Sequence, residues 1–268
     1  MALTVLGVCT VLLVVTIKVS IPQASSVPQA SSVPQASSLP QASSVPQASI
    51  IIVLDDAGHN LTQLTPFLSL PHELTIAVLP GLSYSKESAD KARKAGKEVI
   101  LHQPMQAVNT SIDPGPQSIQ PDMSSSQILS LLLENVREVG PVSGMNNHEG
   151  SLITADITAM SIILSFCMDN SLYFIDSRTN SETKASLAAL ELKTRVWERN
   201  IFLDNTPDRS SIIEMYNKGL KFADKNGSVI MIGHIWSGSD LASILDELYD
   251  STVKNGYKFT TVSRIQRK

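Results

Sequence analysis

Short apolar runs, each followed directly by polar residues, recur along residues 50–234 and restrict the fold more than any other feature. The predicted strands are Ile50–Leu54, Leu74–Leu79, Glu98–Leu101, Val142–Met145, Leu172–Ile175, part of Val196–Leu203, and Val229–Ile232. Runs this short and this rich in β-branched residues are typical of parallel strands that are buried on both faces. Segments of helical periodicity separate them, which predicts repeated βα units and an α/β fold.

The segments of helical periodicity carry recognisable start and stop signals. The predicted helices are Lys86–Ala95, Ser126–Val139, Ile157–Asp169, Ser211–Lys225 and Leu241–Lys254. Side chains that cap helix N-termini precede four of them: Ser124, Asp156, Asp208, and either Ser239 or Asp240. Glycine closes several of the helices, as is common where the backbone must turn left-handed.

Polar clusters follow the predicted strands one after another. They are Asp55-Asp56, Pro80-Gly81, His102-Gln103-Pro104, Asn146-Asn147-His148, Asp176-Ser177-Arg178, Asp204-Asn205 and Gly233-His234. The carboxyl ends of parallel strands meet on one face of a barrel or open sheet, where chemistry is placed. The sequence therefore predicts one shared site that gathers three histidines and several aspartates.

The residue types in these clusters favour a metal centre. Asp55 and Asp56 are adjacent carboxylates, which repel each other unless a cation or a shared proton relieves them. One aspartate with His102 and His148 forms a ligand set used by hydrolytic zinc and related divalent ions. The remaining aspartate would take the proton of an attacking water, and His234 would protonate the leaving group. Which of Asp55 and Asp56 binds the metal is left open by this reasoning.

Several of these motifs resemble the divergent polysaccharide deacetylases, and the resemblance covers nearly all of residues 50–264. The motifs are Ile-Val-Leu-Asp-Asp at 52–56, His-Gln-Pro-Met at 102–105, Asn-Asn-His-Glu-Gly-Ser at 146–151 and Asp-Ser-Arg-Thr at 176–179. The resemblance implies a distorted (β/α)7-type barrel and metal-dependent removal of an acetyl group from an N-acetylated sugar. It also implies that Asp55 is the base, and that Asp56 and His102 are metal ligands.

Two positions depart from the family pattern. Better-studied deacetylases place both ligand histidines in a His-x-x-x-His motif, whereas position 106 holds Gln106, so His148 is the substitute ligand. Glu149 stands where an apolar residue is more usual. These departures keep a second interpretation open, in which the same barrel is a catalytically inactive glycan-binding or envelope scaffold protein.

The other strand-end residues are candidate contacts for the sugar, and each also has a structural interpretation. Asn146 and Asn147 suit an oxyanion or a hydroxyl, or a backbone cap. Asp176 and Arg178 suit a substrate, or a buried ion pair that closes the barrel. Asp204 and Asn205 suit sugar hydroxyls or a turn. Trp236 is the aromatic residue beside a strand-end cluster, where it would stack on a sugar ring.

The first 49 residues contain a single charged side chain, Lys18, and differ in composition from the rest. The apolar run at 2–17 predicts an apolar helix, either a signal peptide or a membrane anchor, within a segment assigned to 1–20. A Ser-Val-Pro-Gln-Ala-Ser repeat at 21–49 predicts a disordered linker. The catalytic domain is then 50–268, and we expect it to be extracytoplasmic: secreted, periplasmic, or tethered to a membrane through 2–17.

The net negative charge of the chain bears on which partners and substrates are expected. The formal charge of the chain is −4, and it becomes −5 when Lys18 is set aside with the first 49 residues. With no basic run in the sequence, nucleic acid is not expected as a partner, and a carbohydrate is. The sequence also lacks a basic or glycine-rich phosphate cradle, which disfavours a phosphoesterase.

Overall fold

The computed structural model describes residues 48–266, so the predicted apolar helix and the linker up to residue 47 lie outside the described residues. Nine strands form one sheet in which the paired strands run parallel. Their bounds are β1 Ala48–Ala57, β2 Thr75–Val78, β3 Glu98–Met105, β4 Gly144–Glu149, β5 Tyr173–Asp176, β6 Val196–Glu198, β7 Ile201–Phe202, β8 Ser228–His234 and β9 Tyr257–Thr260. The predicted α/β class is confirmed.

The sheet curls until its two edges are bridged by one stretch of chain. The strand order is β6-β5-β4-β3-β2-β1-β8-β7, and β9 pairs with the first half of β1. β6 pairs with β5, and β7 pairs with β8. Residues 199 and 200 connect β6 to β7. The backbone N–H of Arg199 donates to Asp176 O and that of Asn200 donates to Ile230 O, each at 2.9 Å. The distorted barrel expected from the motifs is therefore the observed architecture.

Eight α-helices are present among the described residues. They are α1 Leu61–Leu68, α2 Ser85–Lys94, α3 Ser125–Val139, α4 Ile157–Asp169, α5 Ala185–Glu191, α6 Arg209–Asn226, α7 Gly238–Lys254 and α8 Val262–Gln266. The predicted N-caps Ser124, Asp156 and Asp208 are confirmed, because each side chain accepts a backbone N–H of the first turn. The prediction of Ser239 or Asp240 as a cap is wrong: a 3-10 turn at Ile235–Ser237 leads straight into α7.

Strand alternation separates two apolar layers. In β1, Ile50, Ile52 and Leu54 pack outward against the helices, whereas Ile51 and Val53 belong to a second cluster inside the barrel. That inner cluster also contains residues of β2, β3, β5, β6 and β8. Successive side chains of a strand point to opposite faces, so from Ile50 to Leu54 both faces of β1 are buried and apolar.

The first strand begins slightly earlier than the sequence predicts. β1 starts at Ala48, two residues inside the segment assigned to the linker, and Ser49 N donates to Gly227 O at 2.9 Å. Within residues 48–266, none of the helices combines the length and the apolar character needed to cross a membrane.

His72 lies buried in the loop before β2. Its ring stacks on Tyr249 at a centroid distance of 3.9 Å, and neither ring nitrogen makes a hydrogen bond within the described residues. Nε2 is 3.6 Å from Asp246 Oδ1. Burial lowers the pKa of His72 from 6.5 to about 4, because the nearby Asp246 charge opposes only part of the desolvation.

Acidification is expected to destabilise the fold through His72. Between its unfolded pKa of 6.5 and its folded pKa of about 4, the unfolded chain binds a proton that the folded protein excludes. The free energy of unfolding should therefore fall by about 2 kcal/mol between about pH 7 and about pH 5 from this residue. His72→Phe keeps a ring on Tyr249 and cannot titrate, so urea unfolding should show a smaller loss for the variant. Equal losses in the two proteins would contradict this assignment.

Candidate metal centre and active site

In each strand, alternate side chains point into the barrel and form an inward-facing column. These columns change from apolar to polar at the carboxyl ends of the strands. With the side-chain period of two, they run Ile51-Val53-Asp55 in β1, Ile100-His102 in β3, Ile175-Ser177 through the end of β5, and Ile230-Ile232-His234 in β8. The strands are in register where this change occurs, since Asp55 pairs with His234. The fold therefore gathers these polar side chains in one place, as the strand-end clusters predict.

Asp56 reaches the same place by a different route. Alternation alone would turn its side chain away from the barrel interior, but its φ is 67°, and the pairing of β1 with β2 shifts register between Leu54 and Ala57. As a result Asp56 Oδ1 lies 3.2 Å from His102 Nε2 and 3.0 Å from His148 Nδ1. The two imidazole nitrogens are 3.1 Å apart.

This triangle of one carboxylate oxygen and two imidazole nitrogens fits a divalent cation. Asp56 Oδ1 is buried without a hydrogen-bond partner, so it carries an unused lone pair into the cluster. Ligands held about 2.0 to 2.2 Å from a zinc ion lie about 3 to 3.5 Å from one another, as the three atoms do. Asp56, His102 and His148 form a three-residue group able to hold a metal.

The electrostatics of the cluster favour positive charge at its centre. Burial opposes ionisation of Asp56, but His102 and His148 outweigh it and hold the pKa of the carboxyl well below 3.8. Burial likewise opposes protonation of His102, but the charges of Asp55 and Asp56 raise its pKa to about 9. Both pKa shifts have the same physical cause, which is the attraction between these carboxylates and positive charge on the neighbouring imidazoles.

Asp55 lies beside the triangle and is held by Asn146. The Asn146 amide donates to Asp55 Oδ1 and Oδ2 at 2.9 and 3.1 Å, and its Oδ1 lies 2.7 Å from His102 Nδ1. With Nδ1 paired in this way, the Nε2 atom of His102 faces Asp56. Burial raises the pKa of Asp55 above 3.8, although the charges of His102 and His234 partly offset it. Asn146 is fully buried, and its side-chain partners are Asp55, His102 and Ser177, whose Oγ lies 3.3 Å from Asn146 Nδ2.

His234 is oriented by Asp204. His234 Nδ1 is 2.8 Å from Asp204 Oδ1, and the backbone N–H of His234 donates to Asp204 Oδ2 at 2.8 Å. Ser237 Oγ also donates to Asp204 Oδ2. Burial would lower the pKa of His234, but the hydrogen bond and charge of Asp204, together with Asp55 and Asp56, raise it above 6.5. The other ring nitrogen of His234, Nε2, does not contact Asp204.

The clustered residues line a cleft of about 380 Å³. Four lining residues, Glu149, Ser177, Thr179 and Phe202, were not among the predicted site residues. Ser177 and Thr179 belong to the Asp-Ser-Arg-Thr motif, which is the signal that points to them. Phe202 lies inside a predicted strand, and its proximity to His234, at a centroid distance of 5.6 Å, follows only from the pairing of β7 with β8. The cleft is lined by Asp55, Asp56, His102, Asn147, His148, Glu149, Ser177, Thr179, Phe202, Asn205, His234 and Trp236.

The remaining predicted substrate-binding residues lie at the rim of the cleft or make hydrogen bonds that connect the strand ends around it. Asn147 Nδ2 donates to Glu149 O at 2.8 Å, and its Oδ1 accepts Ser177 N at 2.9 Å, which ties the end of β4 to the end of β5. Asp176 accepts Arg178 N and the Thr183 hydroxyl. The guanidinium of Arg178 lies 3.7 Å from Glu198 rather than on Asp176. Asn205 is exposed at the cleft. The substrate roles of these residues and of Asn146 and Trp236 stay predictions.

Sequence comparison identifies a family. A sequence model of divergent polysaccharide deacetylases matches residues 52–266. An uncharacterized protein of Haemophilus influenzae is 31% identical over 186 residues, and the uncharacterized protein YibQ of Escherichia coli is 33% identical over 185 residues. Each alignment covers 69% of this chain, but 66% and 58% of the respective relative. The chain therefore spans less than two thirds of the length of either relative.

Solved structures share the fold at lower identity. An uncharacterized Agrobacterium tumefaciens protein has a TM-score of 0.77 at 17% identity, over 84% of this chain and 92% of that one. A family 4 carbohydrate esterase from Streptomyces lividans, in complex with acetate, has a TM-score of 0.52 at 12% identity, over 81% and 94%. A mutant of a Bacillus anthracis pseudoenzyme of that family, with restored enzymatic activity, has a TM-score of 0.55 at 14% identity, over 81% and 66%. The barrel is thus the one found in carbohydrate esterase family 4.

Replacing Asp204 by asparagine should lower the pKa of His234. The variant removes the charge and presents an amide donor to Nδ1, so burial is no longer outweighed by Asp204. NMR titration of the imidazole in metal-free protein measures the shift. Asp208→Asn is the matched control, because it removes one carboxylate from the nearby N-cap of α6 and asparagine caps equally well. A His234 pKa unchanged by Asp204→Asn would contradict the assigned contact.

Proposed function

The chain belongs to the divergent polysaccharide deacetylase family, and from that premise we propose that it is a metal-dependent hydrolase that removes acetyl groups from an N-acetylated polysaccharide or cell-wall glycan. The observation that carries the proposal is the triangle of Asp56 Oδ1, His102 Nε2 and His148 Nδ1. It lies at the carboxyl ends of the barrel strands, where α/β barrels place their chemistry.

The metal would be held by Asp56, His102 and His148. One carboxylate with two imidazoles suits zinc, which is our proposed ion, and leaves coordination positions free. When bound, a divalent ion supplies Lewis acidity to an amide carbonyl and lowers the pKa of a coordinated water. Asp56 is favoured over Asp55 as the ligand because its Oδ1 faces both imidazoles, whereas both oxygens of Asp55 accept hydrogen bonds from Asn146.

Asp55 is the proposed general base. Its carboxylate lies beside the triangle, with Oδ2 at 3.6 Å from His102 Nε2. Burial raises its pKa, and a more basic carboxylate accepts a proton from the attacking water more readily. Asn146 holds this carboxylate and His102 at once, so the base and a metal ligand keep a fixed relation.

His234 is the proposed general acid. Deacetylation breaks a carbon–nitrogen bond, and the amine leaves only when its nitrogen receives a proton. The contact with Asp204 fixes the imidazole and raises its pKa, which keeps a proton available to the cleft from Nε2. Asp55 and His234 both line the cleft, as proton uptake and proton delivery in one reaction require.

The proposed location of the protein is extracytoplasmic, on the grounds of the proposed substrate and of the sequence before the barrel. A glycan of the cell envelope is reached by an extracytoplasmic protein. The apolar run at 2–17 supports export or a membrane tether, and the repeat that ends at residue 49 supports a spacer between that segment and the catalytic domain at 50–268.

The competing proposal is a glycan-binding or envelope scaffold protein that uses the same cleft without catalysis. Gln106 is the observation that favours it, since the side chain at the position of the family's second ligand histidine donates to Ala107 O at 3.1 Å instead of facing the triangle. The two experiments below separate the alternatives.

Metal analysis tests the ligand set. The purified chain should retain about one divalent ion. His102→Ala or His148→Ala should abolish that retention, because each removes one of three protein ligands. His59→Ala is the matched control: His59 is exposed and is not one of the three residues of the triangle, although it lines a smaller neighbouring cleft that His148 also lines. Full metal content in both ligand variants would refute the assignment.

Acetate release tests catalysis. With an N-acetylglucosamine oligomer as substrate, Asp55→Asn should lower the rate by about 10²- to 10⁴-fold, since the general base is lost. The variant should keep its ion, because Asp55 lies outside the group of three ligands. Oligomer binding without acetate release by the wild-type protein, with each divalent metal supplied, would favour the scaffold protein instead.

A further inference from the structure

Trp236 makes a polar contact that its exposed position does not suggest. It follows β8 in the 3-10 turn Ile235–Ser237, and the residue is 47% exposed at the rim of the cleft. The indole Nε1–H nevertheless donates to Asp56 Oδ2 at 3.0 Å. Its ring is stacked on His234, with centroids 4.9 Å apart and an interplanar angle of 19°.

The two oxygens of Asp56 are thereby assigned to different partners. Oδ1 is buried, makes no hydrogen bond, and faces His102 Nε2 and His148 Nδ1. Oδ2 accepts the indole N–H. Within residues 48–266, no other side chain donates a hydrogen bond to this carboxylate by distance and angle. A single donor on Oδ2 therefore sets the rotation of the carboxylate about its terminal bond, and with it the direction of Oδ1.

The plane of the indole is fixed by a stack of side chains. The guanidinium of Arg199 lies 3.8 Å from the ring centroid of Phe202, Phe202 packs on His234, and His234 packs on Trp236. The stack is anchored at two of its members: Arg199 donates to the backbone oxygens of Ser177 and Arg178, and Asp204 holds His234. The indole N–H is thus presented to Asp56 from a braced position.

We propose that Trp236 is a positioning residue for the metal centre, holding Asp56 Oδ2 so that Oδ1 faces the two histidines. This inference rests on the proposed metal dependence, and it assigns the indole edge a role separate from the predicted stacking on a sugar. Groups that orient metal ligands by hydrogen bonds typically contribute about 10- to 100-fold to metal affinity.

Trp236→Phe is the direct test, because phenylalanine can still stack on His234 but cannot donate to Asp56. Its Kd for Zn²⁺, measured by competition with a chromophoric chelator, should rise about 10- to 100-fold. Trp197→Phe is the matched control. It makes the same chemical change at the other tryptophan, whose Nε1 is buried and unpaired within the described residues, and its Kd should equal that of the wild type.

The two variants also give a spectroscopic readout, since each leaves a single indole. Adding Zn²⁺ to Trp197→Phe should change the fluorescence of Trp236, whose N–H contacts a ligand carboxylate, while Trp236→Phe should show no such change. Equal Zn²⁺ affinity in Trp236→Phe and the wild type would overturn this inference and leave the proposed function intact. Failure of the wild type to bind any divalent ion would overturn both.

Discussion

Alternate residues of parallel strands point into the barrel, and here those inward columns change from apolar to polar at the carboxyl ends of the strands. Ile51 and Val53 pack inside the barrel, and Asp55 continues the same column. His102 and His234 continue the columns of β3 and β8 in the same way. The apolar lower part of each column therefore holds its polar end in place, so that the packing of the core and the geometry of the site depend on one pattern.

Left-handed backbone occurs at the carboxyl ends of three strands. Asp56, Glu149 and Arg178, at or just after the ends of β1, β4 and β5, have φ values of 67°, 52° and 53°. Left-handed backbone in residues other than glycine costs of order 1–3 kcal/mol each and persists where the surrounding structure imposes it. At Asp56 the consequence is visible, because a side chain that alternation would direct outward instead meets two histidines. The buried strand β1 keeps that strained residue in position.

Sequence reasoning located the strands and the strand-end residues because both depend on local patterns. It missed β9, whose segment Tyr257-Lys258-Phe259-Thr260 is short and carries a lysine, and α1, which contains Pro66. It also missed the short helices α5 and α8. It placed Asn146 at the site but did not predict its bridging role, since the contact with Asp55 joins residues 91 positions apart. That contact depends on β1 to β4 lying in sequence order in the sheet, which no local pattern specifies. The dual contact of Trp236 depends on long-range geometry in the same way.

Register also accounts for the departure at position 106. β3 and β4 are neighbours, with His102 opposite Asn146 and Pro104 opposite His148. His148 therefore lies on the adjacent strand, two residues closer to the carboxyl end of the sheet than the partner of His102. Its Nδ1 is 3.1 Å from His102 Nε2. A second histidine four residues after His102 is not needed to complete the triangle. Gln106 instead ties the following loop to the barrel, because its backbone N–H donates to Ile119 O and its carbonyl accepts Leu152 N. The absence of the His-x-x-x-His spacing of the better-studied deacetylases is thus compatible with a group of three residues able to hold a metal.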